Sequence, residues 1–282
     1  MKCKKEIQLE DSTIWIGSKG AHTPCHQDTY GFNLVHQIYG RKLWLLFPPD
    51  VNLYPTRIPY EESSIFSKLN FFSPTVEKFK NVGNCHKVIL GPGDVLFVPH
   101  KWWHYVENLE TAISINTWIP MEEDNSERLE ESIVQFLVKL LIDSDIFDET
   151  TRKVVMNPNM EDELSYSTAS KSLNILDETR KICLGISKKT WKTDSTTSET
   201  KIFYRNDDEL SQIFDNVTNI PRISNEEFYM FLLNQNSRFS GSEIIELPHV
   251  CNGTLTDTMD AILDPEVITL IKEKVLAKQE GI

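Results

Sequence analysis

Short apolar runs separated by glycine and proline turns dominate residues 11–120 of this 282-residue chain. Each run is three to eight residues long and rich in β-branched and aromatic side chains, which is typical of β-strands. Many short strands joined by turns such as Gly91-Pro92-Gly93 predict a sandwich or barrel, so the sequence favours a mainly β domain. The runs are Ile14–Ile16, Gly31–Ile38, Lys42–Phe47, Val88–Leu90, Asp94–Val98, Trp103–Val106 and Ala112–Trp118.

A proline-rich insert and a helix complete this first part of the chain. The insert covers residues 50–86 and is predicted to contain one short helix, and a longer helix follows at residues 121–143 with cap-type residues at its start. Its apolar residues recur at helical spacing, so one face must pack on the domain itself or on a second copy in a homodimer. This stripe comprises Leu129, Ile133, Phe136, Leu137, Leu140 and Leu141.

The rest of the chain changes character. Ser, Thr, Asn, Asp, Glu and Lys dominate residues 144–220 without a sustained period, which predicts a disordered acidic linker. Residues 221–282 are interpreted as a C-terminal helical segment, with a helical pattern from Thr256 to Lys278 that Pro265 interrupts. The predicted organisation is therefore a β domain over residues 1–120, a packing helix, a linker and a helical tail.

Charge and cysteine content narrow the classes of function. A formal net charge of −13 makes nucleic acid an unfavoured partner, because an acidic chain does not attract phosphate backbones. The five scattered cysteines form no CxxC pair, which argues against a disulfide framework and a structural zinc site. No run approaches ~20 apolar residues and the first ten residues are charged, so neither a membrane span nor a signal peptide is predicted. We therefore expect a cytoplasmic protein, with the nucleus as the alternative compartment.

The triplet His26-Gln27-Asp28 is the first candidate for chemistry. Residues two apart on a strand point to the same face, so this imidazole and this carboxylate converge on one point. They would supply two ligands of a 2-His-1-carboxylate ferrous site, which leaves three coordination positions open. His104 stands where a later strand resumes and is the expected third ligand. His100 is its rival, although the simpler interpretation of His100 is a surface histidine.

Several motifs then follow one another in a familiar order. They are Thr23–Asp28, Asn33, Gly40–Lys42, Phe47–Pro49, Gly91–Pro99, Trp102–His104 and Asn116–Trp118. Together they resemble the JmjC oxygenases, in particular the protein-hydroxylase branch that contains the asparaginyl hydroxylase inhibiting hypoxia-inducible factor. The resemblance implies a double-stranded β-helix (jelly-roll, cupin) fold, incomplete at its N-terminus because the family has strands before the His-x-Asp strand. It also implies Fe(II) held by His26, Asp28 and His104, 2-oxoglutarate as cosubstrate, and hydroxylation of a protein side chain.

The same resemblance implies roles for four further side chains. Lys42 would pair with the distal carboxylate of 2-oxoglutarate, and Thr23 would donate its hydroxyl to that carboxylate. Asn33 and Asn116 would line the cosubstrate pocket. Each of these residues also has a purely structural interpretation. Lys42 would then be a strand-edge lysine that faces water, Thr23 a residue of an ordinary turn, and the two asparagines residues that cap turns.

A second resemblance supports a different class of function. Leu53–Ser64 and Leu263–Val267 are similar to segments of a JmjC protein that associates with a small heat-shock protein. The alternative is thus a non-catalytic interaction protein that binds a small heat-shock protein in the stress response. Lysine demethylation is less favoured because no chromatin module accompanies the domain. A non-oxygenase cupin is also less favoured, since such proteins present more histidines and lack the Lys42 anchor.

Overall fold

The structure is a computed structural model that describes residues 12–58, 64–142, 168–187, 217–238 and 253–277. Within these ranges ten β-strands precede five α-helices. The strands are β1 (Ser12–Gly17), β2 (His22–Gln27), β3 (Phe32–Tyr39), β4 (Lys42–Phe47), β5 (Pro55–Thr56), β6 (Ile65–Ser67), β7 (His86–Leu90), β8 (Val95–Val98), β9 (Trp103–Asn108) and β10 (Ala112–Ile119). The helices are α1 (Asp124–Ile142), α2 (Ala169–Cys183), α3 (Asn225–Ser237), α4 (Gly253–Ile262) and α5 (Pro265–Ala277).

The strands form two antiparallel sheets. One has four strands in the order β1-β10-β3-β8, and the other has six in the order β5-β6-β2-β9-β4-β7. Strands β1 to β4 and β7 to β10 alternate between the sheets, while β4 to β7 all lie in the six-stranded one, so the chain crosses repeatedly from one layer to the other, as in a jelly roll. The predicted mainly β, cupin-type fold is confirmed, with helices following the β core.

The run Lys42–Phe47 shows why the two layers pack so closely. All six of its residues are buried, because β4 lies inside the six-stranded sheet and is covered on both faces. Trp44 and Leu46 face the other sheet, where they join Val35 and Leu96 in one apolar cluster. The alternate residues of β4 face outward into a second cluster, which the insert and α3 cover.

Two glycines make the tight turns on either side of β3. Gly31 has a φ of +59°, and a Cβ there would lie 2.3 Å from the carbonyl oxygen of Ile119. Gly40 has a φ of +65°, and a Cβ there would lie 2.0 Å from the carbonyl oxygen of Thr111. Only glycine combines this backbone conformation with so close an approach of another strand's backbone.

The insert over residues 50–86 folds onto the outside of the six-stranded sheet. It contributes β5, β6 and a 3-10 helix at Val76–Phe79, in agreement with the short helix predicted there. Phe71 and Phe79 pack on Phe228 of α3, which lies across this surface. The helix α3 is therefore part of the β domain's packing, although it is distant in sequence.

The helix α1 packs on other helices of the same chain. Leu129 and Ile133 are buried with Met259 and Leu263, in a cluster that also includes α5. The apolar stripe of α1 was expected to pack either on the same chain or on a second copy, and in the structure it packs on the same chain. The structure offers no support for a homodimer through this face. The buried face of α1 also differs slightly from the predicted stripe, because Leu140 is exposed.

The prediction of a disordered linker over residues 144–220 is wrong for part of its length. Ala169–Cys183 form α2, whose N-cap Thr168 accepts a hydrogen bond from the backbone N–H of Lys171, and α2 packs against α1. This helix was missed because its polar residues obscure the apolar period. Residues 144–167 and 188–216 lie outside the described residues, so that prediction is not tested there.

The outer face of the four-stranded sheet is unusually apolar. Ile14, Ile16, Val95 and Phe97 are each more than half exposed, and the strand register places them on one face. The outer face of such a sheet is normally polar. The strand β1 forms an edge of this sheet, with β10 as its neighbour in the part of the chain that the structure describes. None of the described helices is long and apolar enough to cross a membrane.

Candidate metal centre and cosubstrate cavity

Strand pairing brings the three predicted metal ligands together. His26 lies on β2, Asp28 follows just after that strand, and His104 lies on β9. The two strands pair antiparallel with His26 directly opposite His104. Directly opposed residues project from the same face of a sheet, so the register itself places both imidazoles beside the Asp28 carboxylate.

The ligand atoms are close to the spacing that one ion requires. His26 Nε2 lies 3.5 Å from Asp28 Oδ1, and His104 Nε2 lies 3.9 Å from Asp28 Oδ2. One ligand atom from each of the three residues falls within 4.8 Å of the others. Around an octahedral ion with bonds of ~2.1 Å, neighbouring ligand atoms would be ~3 Å apart, so only a small contraction is needed.

Both imidazoles are oriented by backbone carbonyls. His26 Nδ1 lies 2.9 Å from the carbonyl oxygen of Pro24, and His104 Nδ1 lies 3.0 Å from that of Trp102. Each Nδ1–H donates to its carbonyl in the neutral tautomer, which leaves the Nε2 lone pair free to face the other ring. This is the arrangement in which histidine serves as a metal ligand.

The electrostatics of the site favour a neutral His104 imidazole and a charged Asp28 carboxylate. Burial, together with the neighbouring His26, lowers the pKa of His104 to about 4. Burial by itself would raise the pKa of Asp28, but the hydrogen bond with His26 and the charge interaction with His104 hold it well below its usual range. These are the protonation states that a divalent cation needs from its ligands.

Neighbouring side chains fix the Asp28 loop. Trp118 Nε1 donates a hydrogen bond to Asp28 Oδ2 at 3.1 Å. His100, the rival ligand, does not join the cluster, because its Nδ1 lies 2.8 Å from the carbonyl oxygen of Gly31. His100 is half-buried rather than a plain surface residue, and it holds the turn that follows Asp28. His36, also on a strand, is exposed on the outer face of the sheet.

A cavity of about 180 Å³ adjoins the three ligands between the sheets. All four residues predicted to hold 2-oxoglutarate line this cavity, together with the three predicted metal ligands: Thr23, Asn33, Lys42, Asn116, His26, Asp28 and His104. The structure therefore brings the seven predicted site residues to one place. The volume of this cavity equals that of about six waters at ~30 Å³ each, and this size suits a small dicarboxylic acid.

Lys42 places a cation inside this cavity without a carboxylate beside it. The side chain is only 6% exposed, and Nζ donates to Ser114 Oγ at 2.7 Å. Within the described ranges, Nζ forms no ion pair with a carboxylate. Burial lowers the pKa of this ammonium to about 8. The strand-edge interpretation of Lys42 is thus wrong, since the residue faces the interior.

Buried polar atoms around the cavity also lack partners. Among the described residues, the side-chain oxygens of Asn33 and Asn116 and the indole N–H of Trp44 have no hydrogen-bond partner. Unpaired buried polar groups are costly, and in natural proteins they commonly await a ligand, water or ion. The buried Lys42 ammonium and the Trp44 N–H therefore suit a small anionic molecule next to a metal ion, and the two amide oxygens suit the hydrogen atoms of bound water.

Sequence reasoning missed Ser114, Trp118 and Trp44 in this site. A signal for two of them was available, because Ser114 and Trp118 lie two positions before and after Asn116 on β10. Alternate residues of a strand share one face, so the assignment of Asn116 to the interior implied both neighbours. Trp44 bears the same relation to Lys42 on β4.

A second cavity of about 530 Å³ lies on the far side of Asp28. It runs between the β domain and the helices α1 and α5, and Asp28 lines both cavities. Two ion pairs stand on its walls, Lys101 with Glu127 at 2.7 Å and Glu130 with Lys272 at 2.6 Å. The candidate metal centre is therefore accessible from two sides, one of them through a larger chamber.

Comparisons with known proteins define the class of this domain. Residues 2–125 match a family described as "Cupin-like domain". A "JmjC domain-containing protein C" of Dictyostelium discoideum is 37% identical over 120 residues, covering 39% of this chain and 29% of the relative. Residues 2–125 are therefore similar to cupin-like and JmjC domains, in agreement with the resemblance predicted from the sequence.

Particular relatives narrow the comparison further. "HSPB1-associated protein 1" of Rattus norvegicus is 50% identical over 170 residues, which cover 58% of this chain and 35% of the relative. "Lysine-specific demethylase 8" of Xenopus tropicalis is 35% identical over 125 residues, covering 41% of this chain and 27% of the relative. The chain spans about a third of the length of the curated relatives it matches.

Proposed function

We propose that this chain is an Fe(II)- and 2-oxoglutarate-dependent oxygenase that hydroxylates a protein side chain. One observation carries the proposal. Two imidazoles and a carboxylate converge in the same cavity as the buried ammonium of Lys42, which has no carboxylate partner among the described residues. The ligand set suits a ferrous ion with open positions, and the ammonium suits the far end of a dicarboxylate.

The residues of the chain would bind and orient, while the metal supplies the oxidation. A ferrous ion held by His26, Asp28 and His104 would provide the activation of O₂ that no side chain can perform. The carbonyls of Pro24 and Trp102 keep both imidazoles in the ligand tautomer.

The cosubstrate would lie between the metal ligands and Lys42. Lys42 Nζ, already positioned by Ser114, would pair with the distal carboxylate, and Thr23 would donate its hydroxyl to it. The carboxamide N–H groups of Asn33 and Asn116 would donate to the cosubstrate, while their side-chain oxygens would need a water as donor. A dicarboxylate thus satisfies the unpaired charge of this cavity.

The protein substrate would approach through the chamber on the other side of Asp28. That chamber is the larger of the two and opens between the β domain and the helices. Similarity to a protein named as a lysine-specific demethylase supports oxygenase-type chemistry in general, and it leaves the reacting side chain open. Hydroxylation is the outcome proposed here.

Metal and cosubstrate binding test the proposal without a known substrate. The wild-type chain should bind one Mn(II), as a stable stand-in for Fe(II), and 2-oxoglutarate should then raise its melting temperature. His26→Ala should lose both effects, whereas His36→Ala, an exposed histidine on the outer sheet face, should keep them. Fe(II)-dependent succinate formation with added candidate proteins then measures turnover. Equal binding of metal and 2-oxoglutarate by His26→Ala and wild type would refute the assignment.

A second candidate function is association with a small heat-shock protein. It is supported by the 50% identity to proteins named HSPB1-associated protein 1, although the aligned part covers 35% of that relative. Direct binding of a purified small heat-shock protein to wild type and to His26→Ala tests it. If both bind the partner and neither forms succinate, the chain acts as an interaction protein. If neither binds, this second function is wrong.

A further inference from the structure

The indole of Trp118 makes a contact that the ligand set alone does not require. Trp118 lies on β10 in one sheet, and Asp28 follows β2 in the other, so their contact spans the two layers. Its Nε1–H donates to Asp28 Oδ2 at 3.1 Å. An indole N–H in this core is not always paired, because those of Trp44 and Trp103 have no partner. The pairing of Trp118 with a metal ligand is therefore a specific feature.

Coordination number explains why this contact would matter. An octahedral ion has six positions, and two imidazoles with one carboxylate oxygen use three of them. A 2-oxo acid that binds through two atoms leaves one position for O₂. If both oxygens of Asp28 bound the ion, four positions would be used, and 2-oxoglutarate and O₂ could not be accommodated together.

The two oxygens of Asp28 already differ in their surroundings. Oδ1 lies 3.5 Å from His26 Nε2, whereas Oδ2 lies 3.9 Å from His104 Nε2 and also accepts the indole N–H. A hydrogen bond to a carboxylate oxygen competes with metal binding to that oxygen, and outer partners of this kind orient metal ligands. We propose that Trp118 is a positioning residue that keeps Asp28 a one-oxygen ligand, which preserves the open position for O₂.

This inference rests on the proposed function, and it makes a prediction that packing alone does not. Trp118→Phe keeps an aromatic ring and loses the N–H. Without the donor, Asp28 is free to bind the ion through both oxygens, which leaves two positions for 2-oxoglutarate and none for O₂. The variant should therefore still bind Mn(II) and 2-oxoglutarate, and both oxygens of Asp28 should lie within bonding distance of the metal, where wild type has one.

The experiment measures three quantities on the full chain. Calorimetry gives the Mn(II) affinity and then the 2-oxoglutarate affinity of the Mn(II)-loaded protein, and a crystal structure of that protein gives both metal–oxygen distances of Asp28. Trp103→Phe is the matched control, because it removes an indole N–H that has no hydrogen-bond partner among the described residues, in the apolar cluster outside the ligand site. Incorporation of 3-benzothienylalanine at position 118 replaces the N–H by sulfur with little change of shape, in case the phenylalanine variant does not fold.

The possible results separate the inference from the proposed function. Two short metal–oxygen distances in the variants and one in wild type, with Mn(II) binding retained, support the positioning role. One short distance in all proteins, or two in wild type, overturns it. Parallel loss of Mn(II) and 2-oxoglutarate binding also overturns it, since that result indicates general damage. If wild type binds Mn(II) but no 2-oxoglutarate, the proposed function fails, and the two distances still decide the role of Trp118.

Discussion

Replacing Lys42 with methionine should stabilise the protein when no 2-oxoglutarate is present. Removing a buried residue usually destabilises a fold, but here the buried group is an ammonium with only a hydroxyl as its partner. Burial lowers its pKa from an ordinary 10.5 to about 8, so the folded protein binds this proton less tightly than the unfolded chain does. Methionine has a similar unbranched shape and carries no charge.

The size of the effect follows from that pKa. A change from 10.5 to about 8 corresponds to an unfavourable free energy of about 3 kcal/mol for the charged form, at 1.36 kcal/mol for each pKa unit. The substitution also leaves Ser114, which is 1% exposed, without its partner, at a cost of about 1 kcal/mol. At pH 7 the free energy of unfolding should therefore rise by about 2 kcal/mol.

The pH dependence has a definite sign. Below pH 8 Lys42 is charged in both folded and unfolded states, so the wild type carries the full penalty. Between pH 8 and 10.5 the folded state loses this proton first, and wild-type stability increases relative to the variant. The advantage of Lys42→Met should accordingly shrink across this window and vanish near pH 10; above the window the variant should be less stable by the about 1 kcal/mol that the lost Ser114 partner costs.

Urea unfolding followed by circular dichroism at pH 7 and pH 10 measures these differences. Arg41→Met is the control on the neighbouring position, since Arg41 forms an exposed ion pair with Glu110 that should contribute no more than about 1 kcal/mol. Metal-loaded wild type should gain about 2.7 kcal/mol from 2-oxoglutarate at a hundred times its Kd, and Lys42→Met should gain none. A variant less stable than wild type at pH 7, without cosubstrate, would show that the ammonium is already compensated and refute the reasoning.

Three further substitutions test the packing. Gly40→Ala should destabilise the protein by more than ~1 kcal/mol in urea unfolding, because a Cβ there meets the Thr111 carbonyl, whereas Gly93→Ala meets nothing and should cost less. Leu232→Ala on α3 should cost about 2–5 kcal/mol by the same assay, while the half-exposed Leu233→Ala next to it should be nearly neutral; equal effects would mean that α3 does not dock as described. Phe97→Glu should reduce binding of a hydrophobic dye to the native protein without lowering its melting temperature, and unchanged dye binding would place the apolar surface elsewhere.

The sequence predicts the β core well because its signals are local. Each strand has its own apolar run and its own turn residues, so strands such as β4 and β9 can be predicted without knowledge of the strands that pair with them. The metal ligands were predictable for a similar reason, since His26 and Asp28 stand two apart and His104 opens a recognisable later strand. The motif resemblance then extended the prediction to Lys42 and the two asparagines.

Contacts between distant segments of the chain could not be predicted from the sequence. The burial of α3 on the insert depends on Phe228 meeting Phe71 and Phe79, roughly 150 residues earlier in the chain, and no local pattern encodes that meeting. The helix α2 escaped detection because its stability comes from packing against α1 rather than from its own composition. The register of β2 against β9, which decides whether His104 reaches the cluster, is also set by the tertiary fold.

Asp124 connects distant segments of the chain beside the candidate metal centre. Its buried carboxylate accepts the backbone N–H of Gly31 at 2.8 Å and that of Met121 at 2.9 Å, so it joins the start of α1 to the turn after Asp28. His100 holds the same turn from the other side through the Gly31 carbonyl. Because an unpaired buried N–H costs about 1–3 kcal/mol, displacing α1 would disturb this turn before it affected the strands. The helices and the metal ligands therefore form one cooperative unit, and the wall of the larger chamber cannot move without moving Asp28.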